Sequence, residues 1–365
     1  MRPVTKTLLI RADASVPRGT GHVMRCLAIA QAWKDAGGEV TYAMAESTPS
    51  VESRLDQEGI KIFSIPSTPG SAHDAESLVE CALSQNADWL IVDGYHFGKE
   101  YCQALKVAGL RFLIIADHNT SVCESADFLL NPDVSDEREV RGNYGPHATL
   151  LLGPRYALLR REFTSWKFAA REPADGLLKV LVTMGGSDPE NLSLRIMNAL
   201  QKCGLQDLEV AVLVGGSNPH FEKLDYLQKH SASKFKLIKD ASSVPQWMAW
   251  ADVAVTAAGN SIWELMFMGC PVICCTRGPE DERLLARLAK CHAAMDIGPS
   301  SHTQLEERFL REFMILREHK LREVMAKNGR ALVDGLGAMR VVEQLLAVKD
   351  HTQNKTQHTS GSIRS

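Results

Sequence analysis

Residues Arg11 to Arg25 read R-A-D-A-S-V-P-R-G-T-G-H-V-M-R, and the reading of this stretch decides the fold. The apolar run Thr7 to Ile10 leads in as a strand, and Val23, Leu27 and Ala30 recur at helical spacing leading out. The stretch is therefore a turn that joins a strand to a helix. Gly19 and Gly21 permit backbone angles and close approaches that a Cβ forbids. The first N–H groups of the helix lack intrahelical partners and carry partial positive charge, which suits an anionic ligand or an attacking water. His22 titrates near neutral pH and would serve there as a base, with Arg25 one turn along the same face. A histidine that caps the helix or faces solvent fits the same spacing.

Working outward, the rest of the chain narrows the class. At 365 residues it exceeds the size of one ordinary domain, so two domains are expected. With 45% hydrophobic residues, 23% charged residues and a formal charge of −3, it gives no electrostatic reason to bind nucleic acid or an anionic membrane. Nine cysteines, an odd count without a C-x-x-C pair, point to reduced thiols in a cytoplasmic protein rather than a disulfide framework or zinc site. Met1 to Lys6 is too short and polar to be a signal peptide, and no run of about 18 apolar residues would span a bilayer.

Short apolar runs alternate with amphipathic stretches along the first half. Strands are expected at Thr7 to Ile10, Glu39 to Met44, Ile60 to Ile65, Trp89 to Val92, Phe112 to Ala116 and Phe128 to Asn131. Continuous apolarity places them in a parallel sheet buried on both faces. The rhythm breaks from Leu150 to Arg161, and Arg171 to Gly176 reads as a linker. A second series follows at Lys179 to Met184, Glu209 to Val214, Phe235 to Ile238, Val253 to Thr256 and Pro271 to Cys275. The fold class is therefore α/β, with two doubly wound Rossmann-like domains in sequence, 1–160 and 161–349, and a polar, disordered tail at 350–365.

Two turns of the second half repeat the logic of the first. Gly185-Gly186-Ser187-Asp188-Pro189 follows a strand, and its glycines would let backbone amides approach a phosphate or a base. Farther on, Gly259-Asn260-Ser261-Ile262-Trp263-Glu264 opens a helix. Ser261 and Glu264 stand at capping-box spacing, which needs no ligand; alternatively the helix start holds a diphosphate while Glu264 accepts bonds from ribose hydroxyls. In the first half, Asp93-Gly94-Tyr95-His96 and Asp117-His118-Asn119 end strands on the ligand-bearing edge, so Asp93, Tyr95, Asp117 and His118 are candidates to contact a sugar or orient a base. Turn chemistry alone also favours such residues. Arg155 to Arg161 would serve either a phosphate or interdomain packing, and no His or acidic cluster has the spacing of metal ligands.

Taken together, R-A-D-A-S…G-T-G-H-V-M-R-C-L-A-I-A, D-G-Y, L-L-G-P-R-Y-A-L-L-R-R-E-F, V-L-V-T-M-G-G-S-D-P and A-A-G-N-S-I-W-E-L-M-F-M-G-C-P resemble the PseG family of nucleotide-sugar hydrolases from pseudaminic acid biosynthesis. That family shares the GT-B architecture of the glycosyltransferase MurG. The resemblance covers about residues 8 to 295 and implies removal of UDP from UDP-2,4-diacetamido-2,4,6-trideoxy-β-L-altropyranose by water, with inversion and with neither metal nor cofactor. It makes His22 the general base or water-orienting residue and Tyr95 a contact in the sugar site; beside them, Asp13, Gly19, Gly21, Arg25, Asp93 and Asp117 are candidate substrate contacts from their places on the same strand-end turns. It brings Gly185, Gly186 and Ser187 to the uridine, and Gly259, Asn260, Ser261 and Glu264 to the diphosphate and ribose.

The chain departs from the family pattern twice. Ile115-Ala116-Asp117 stands where members carry Ile-Asp-Asp, and Glu280-Asp281 where they carry an Asn-Gln pair near the anomeric centre. Glu280 and Asp281 therefore either contact a different sugar or are neutralised by Arg277 and Arg283. A GT-B glycosyltransferase using a UDP-sugar donor is the alternative activity, and a non-catalytic sugar-nucleotide binder the third. Sequence leaves the oligomeric state unassigned; the expected partner is a small UDP-sugar, with no nucleic acid and no stable membrane association.

Overall fold

The computed structural model describes residues 6–116, 123–134, 136–139, 146–167, 176–231 and 233–348. Asp117 and His118, most of the expected linker and the expected tail lie outside these residues.

Seven strands form the first sheet: β1 (Thr7–Ala12), β2 (Glu39–Met44), β3 (Lys61–Ser64), β4 (Trp89–Asp93), β5 (Phe112–Ile115), β6 (Phe128–Asn131) and β7 (Thr149–Leu152), in the order β3-β2-β1-β4-β5-β6-β7. All its pairings are parallel, with Ile10 between Tyr42 and Ile91. Helices cover both faces, and so alternate residues of one strand enter different cores. Leu8 and Ile10 pack with Val23, Leu27 and Ala30 of helix Gly21–Asp35, whereas Leu9 packs with Leu78, Cys102 and Leu105. That double coverage is why the strands read as unbroken apolar runs.

The second sheet comprises β8 (Leu178–Thr183), β9 (Leu208–Val214), β10 (Phe235–Lys239), β11 (Val253–Ala257), β12 (Val272–Thr276) and β13 (Met295–Pro299). Its order is β10-β9-β8-β11-β12-β13, again parallel throughout. Each sheet reverses its strand order once, between β1 and β4 in the first and between β8 and β11 in the second. Crevices beyond the carboxyl ends of the strands at such reversals are where open α/β sheets bind ligands.

Three expectations need correction. The strands β7 and β13 were not anticipated: β7 is a short edge strand ending at Gly153-Pro154, and β13 contains Gly298 and Pro299, poor strand formers. Helix Gly337–Ala347 does not join the second domain but returns to the first, where Ala338, Val341, Val342 and Leu345 enter the core beside helix Gly21–Asp35. Finally, Cys102 and Cys123 form a disulfide, with Cα atoms 5.9 Å apart, and the other seven cysteines are not disulfide-bonded. A pair 21 residues apart has no spacing signature; it forms because helix Lys99–Val107 packs against the entry to β6. Among the described residues no helix is long and apolar enough to cross a membrane.

Candidate functional site

The two reversals face each other. A Cβ built on Gly186, after β8, would lie 2.9 Å from Thr20 Oγ1, and one on Gly19 would lie 3.4 Å from Ser187 Oγ. The opening turn of the first domain and the glycine turn of the second thus form opposite walls of one cleft, at van der Waals distance. Gly185, at φ +87°, needs the conformational freedom of glycine, and the space beside its α-carbon is open.

On the first-domain wall, His22 is the second residue of its helix, and the Thr20 cap makes no side-chain hydrogen bond to the helix start. The His22 ring meets Tyr95 edge-on, with centroids 4.8 Å apart, and Tyr95 is exposed. The structure therefore brings His22, Tyr95, Gly19 and Gly21 together at the switch point between β1 and β4. Arg25 and Asp93 have a different role from the expected ligand contacts. Arg25 Nε donates to Asp93 Oδ2 at 2.6 Å and Arg25 Nη2 to Asp93 Oδ1 at 2.5 Å, and Asp93 is fully buried at the end of β4. This bidentate pair fixes the helix that carries His22 to the strand that precedes Tyr95.

Asp13 likewise lies beneath the site rather than in it. Its Oδ1 accepts from the amides of Ala45 and Glu46 at 2.8 and 3.0 Å and lies 2.7 Å from Arg11 Nη1. Arg11, also fully buried, reaches Asp74 with Nε at 3.0 Å and Nη2 at 2.8 Å. Burial alone would raise the Asp13 carboxyl, but His96 and Arg11 overcome it and hold the group below the usual carboxylate range.

On the second-domain wall, helix Asn260–Met268 begins behind Gly259, whose φ of +149° a Cβ would strain, and no side chain caps it. The capping-box alternative for Ser261 and Glu264 is not realised, because the helix starts two residues too early, with Gly259 rather than Ser261 at its N-cap. Instead Arg160 Nη2 donates to the buried Glu264 Oε1 at 3.2 Å, and Asn260 Nδ2 donates to Leu158 O at 3.2 Å. Burial pushes the Glu264 carboxyl up, against the pull of Arg160. Arg277 sits on the same turn, donating to Ala258 O, and a Cβ on Gly259 would stand 3.4 Å from its Nη2.

Helix Leu192–Lys202 does not offer its start to a ligand beside Ser187. It begins five residues later, and Asp188 accepts from the amides of Leu192 and Ser193 at 2.8 and 3.0 Å. Glu280 and Asp281 stand in the first turn of helix Pro279–Lys290, on the second-domain side. Glu280 Oε1 accepts from Arg283 Nη2 at 3.1 Å on its own helix, and buried Asp281 accepts from the Arg277 amide at 2.8 Å. Glu280 is thus paired with the Arg283 side chain, and Asp281 with the Arg277 backbone amide. Sequence reasoning missed Arg11, Arg18 and His96 as builders of this cleft; Arg18 and His96 stand within the quoted turns, so adjacency to His22 and Tyr95 is the available signal.

The glycosyltransferase family 28 C-terminal domain matches residues 180–290, the stretch that builds this second wall. An uncharacterised protein of Methanocaldococcus jannaschii is 24% identical over 73% of the chain, which spans about half that relative's length, 54%. The spore coat polysaccharide biosynthesis protein SpsG of Bacillus subtilis is 26% identical, over 91% of this chain and 95% of its own. A UDP-2,4-diacetamido-2,4,6-trideoxy-β-L-altropyranose hydrolase of Campylobacter jejuni is 24% identical over 72% of this chain and 88% of its own. Among solved structures, MurG of Acinetobacter baumannii superposes with a TM-score of 0.66 at 18% identity, covering 94% of this chain and 100% of that one. The chain has the two-domain GT-B fold, and it is similar to the hydrolase family that its motifs resemble.

Proposed function

We propose that this protein is an enzyme acting on UDP-sugars, and that it hydrolyses a UDP-linked 2,4-diacetamido-2,4,6-trideoxyhexose to UDP and the free sugar. The observation that carries the reading is the apposition of the Gly19–Thr20 turn, which leads into His22 and its neighbour Tyr95, with the Gly186–Ser187 turn of the second domain, whose sheet also carries the uncapped start of helix Asn260–Met268. The similarity to the Campylobacter hydrolase supports the reaction, and the family 28 domain supports nucleotide-sugar binding on the second wall.

In this mechanism the diphosphate lies against the first amides of helix Asn260–Met268, where the helix dipole and Arg277 offset its charge. Glu264 accepts from ribose hydroxyls, and the turn Gly185–Ser187 receives the uracil. His22 takes a proton from water as the water oxygen bonds to the anomeric carbon. The bond from that carbon to the diphosphate breaks on the opposite face, and its electron pair leaves with UDP, so the anomeric configuration inverts. Release of UDP from a panel of UDP-sugars, with and without alcohol acceptors, tests the reading. UDP and an inverted free sugar are expected without acceptor; release only when an acceptor is present would assign a transferase, the reading that the family 28 match favours.

Glu264 gives a separate test on the nucleotide side. Glu264→Ala is expected to weaken UDP binding by about tenfold or more, near 1.4 kcal/mol, and to raise KM more than it lowers kcat. If the carboxylate serves only Arg160, the same variant will lose stability while UDP affinity stays at the wild-type value. Calorimetric titration and a thermal melt on one sample separate the two.

A further inference from the structure

His96 is boxed in beside the site without belonging to the reacting groups named above. Its Nδ1 lies 2.9 Å from Arg18 Nη1, and Arg18 Nε donates to Glu46 at 2.9 Å. Its Nε2 lies 3.2 Å from Asp13 Oδ2, within ion-pair distance but outside hydrogen-bond geometry, and neither of these buried atoms has a hydrogen-bond partner. The ring packs on Phe97 with centroids 4.0 Å apart. Gly94, at φ +157°, presses on the same ring, because a Cβ there would lie 2.8 Å from His96 Cε1, and a Cβ on Gly70 would lie 2.3 Å from His96 O.

These contacts fix the proton. A guanidinium only donates, so Nδ1 must present its lone pair to Arg18. The carboxylate of Asp13 only accepts, so Nε2 must carry the hydrogen. The tautomer that suits both neighbours is thus Nε2–H, with Nδ1 bonded to Arg18 and Nε2 facing the Asp13 carboxylate. What it joins is informative. Arg18 belongs to the loop closed by the Gly19 amide on Ser15 O at 2.8 Å, immediately before His22, and His96 follows Tyr95 in the chain.

We propose that His96 is a positioning residue for the reaction: through Arg18 and Asp13 it ties the turn bearing Tyr95 to the loop bearing His22, and so sets the placement of the His22 imidazole against the Tyr95 ring. The inference rests on the proposed hydrolysis for its kinetic consequence but not for its geometric one.

Two measurements test it. Arg18→Met removes one end at a half-exposed position and leaves the buried Asp13 contact, so the fold should survive; His96→Phe removes both ends. Each variant is expected to lower kcat about tenfold or more, with KM and UDP affinity within about twofold of wild type, because a small displacement of a base costs turnover and not ground-state binding. The double variant should be no worse than His96→Phe, since both remove one tie. A kcat within twofold of wild type in Arg18→Met, or additive losses in the double variant, would overturn the inference. Nitrogen-15 NMR of the histidine rings gives a readout independent of activity: His96 should show a protonated Nε2 and bare Nδ1, and Arg18→Met should shift the His22 ring signals. If the wild type releases UDP from no UDP-sugar, the hydrolase reading fails, and these spectra alone decide the positioning. Unshifted His22 signals in Arg18→Met, or a proton on Nδ1 of His96, would then overturn it.

Discussion

Replacing His22 by asparagine is expected to lower turnover by about 10²- to 10⁴-fold while UDP binds as it does to the wild type. The split follows from where the residue stands. His22 lies on the first-domain wall at the switch point between β1 and β4, whereas every group assigned to the nucleotide lies on the second domain, beyond β8 and β11. A base that acts only as the water oxygen bonds to the anomeric carbon stabilises the transition state and contributes nothing to the bound nucleotide. Asparagine retains a polar side chain at the helix start but cannot take up a proton, so the variant removes the chemistry with little change of shape. The helix itself should not move, because Arg25 and Asp93 hold it to β4 one turn farther on. Steady-state rates with calorimetric titration of UDP are the check. A variant turning over at the wild-type rate would remove His22 from the base role, and a lost UDP affinity would place it in the nucleotide site instead.

The architecture was legible because both sheets are covered on two faces. A strand such as Trp89–Asp93, buried at every position, prints as a solid apolar block, and the glycine and acidic residues that follow it mark the carboxyl edge. Local pattern therefore located the turns at Gly19–His22, Asp93–Tyr95, Gly185–Ser187 and Gly259–Glu264, which is where the two sheets reverse. What it could not supply was the direction of side chains across long separations. Asp93 looked like a ligand contact because it ends a strand, yet its partner is Arg25, 68 residues earlier. Glu264 looked like half of a capping box because Ser261 is three residues before it, yet its partner is Arg160, 104 residues earlier. Helix Gly337–Ala347 shows the same limit at the level of domains, since an amphipathic helix does not encode which of two cores receives it. Charged residues in this cleft were thus visible as positions and not as roles; the roles depend on which opposite charge the fold brings within reach.

Arg11→Met is expected to destabilise the protein more than any substitution in the cleft, by about 3–5 kcal/mol, because it leaves Asp13 and Asp74 buried without the cation that lies between them. Arg11 cannot be exchanged for an apolar residue alone: the gain from a well-packed methionine is smaller than the cost of two uncompensated carboxylates, which must bind protons or be wetted. The pH dependence of the wild type follows from the same cluster. The Asp13 carboxyl is lower in the folded protein than its ordinary value, and in the unfolded chain it returns to about 3.9. Asp13 therefore contributes stability that is fully present above the unfolded value and is lost as pH falls through about 4 toward the depressed folded value. Urea unfolding between pH 3 and pH 7 should show this acid slope in the wild type and a shallower slope in Asp13→Asn, which binds no proton in either state. Equal slopes would mean that Asp13 is not held in its charged form by Arg11 and His96. The consequence reaches the cleft, because Ala45 and Glu46 are tied by their amides to Asp13, and Glu46 in turn holds Arg18 on the loop that delivers His22. A variant of Asp13 that still folds should accordingly lose turnover at neutral pH, and a folded Asp13→Asn with wild-type kcat would separate the buried cluster from the placement of the base.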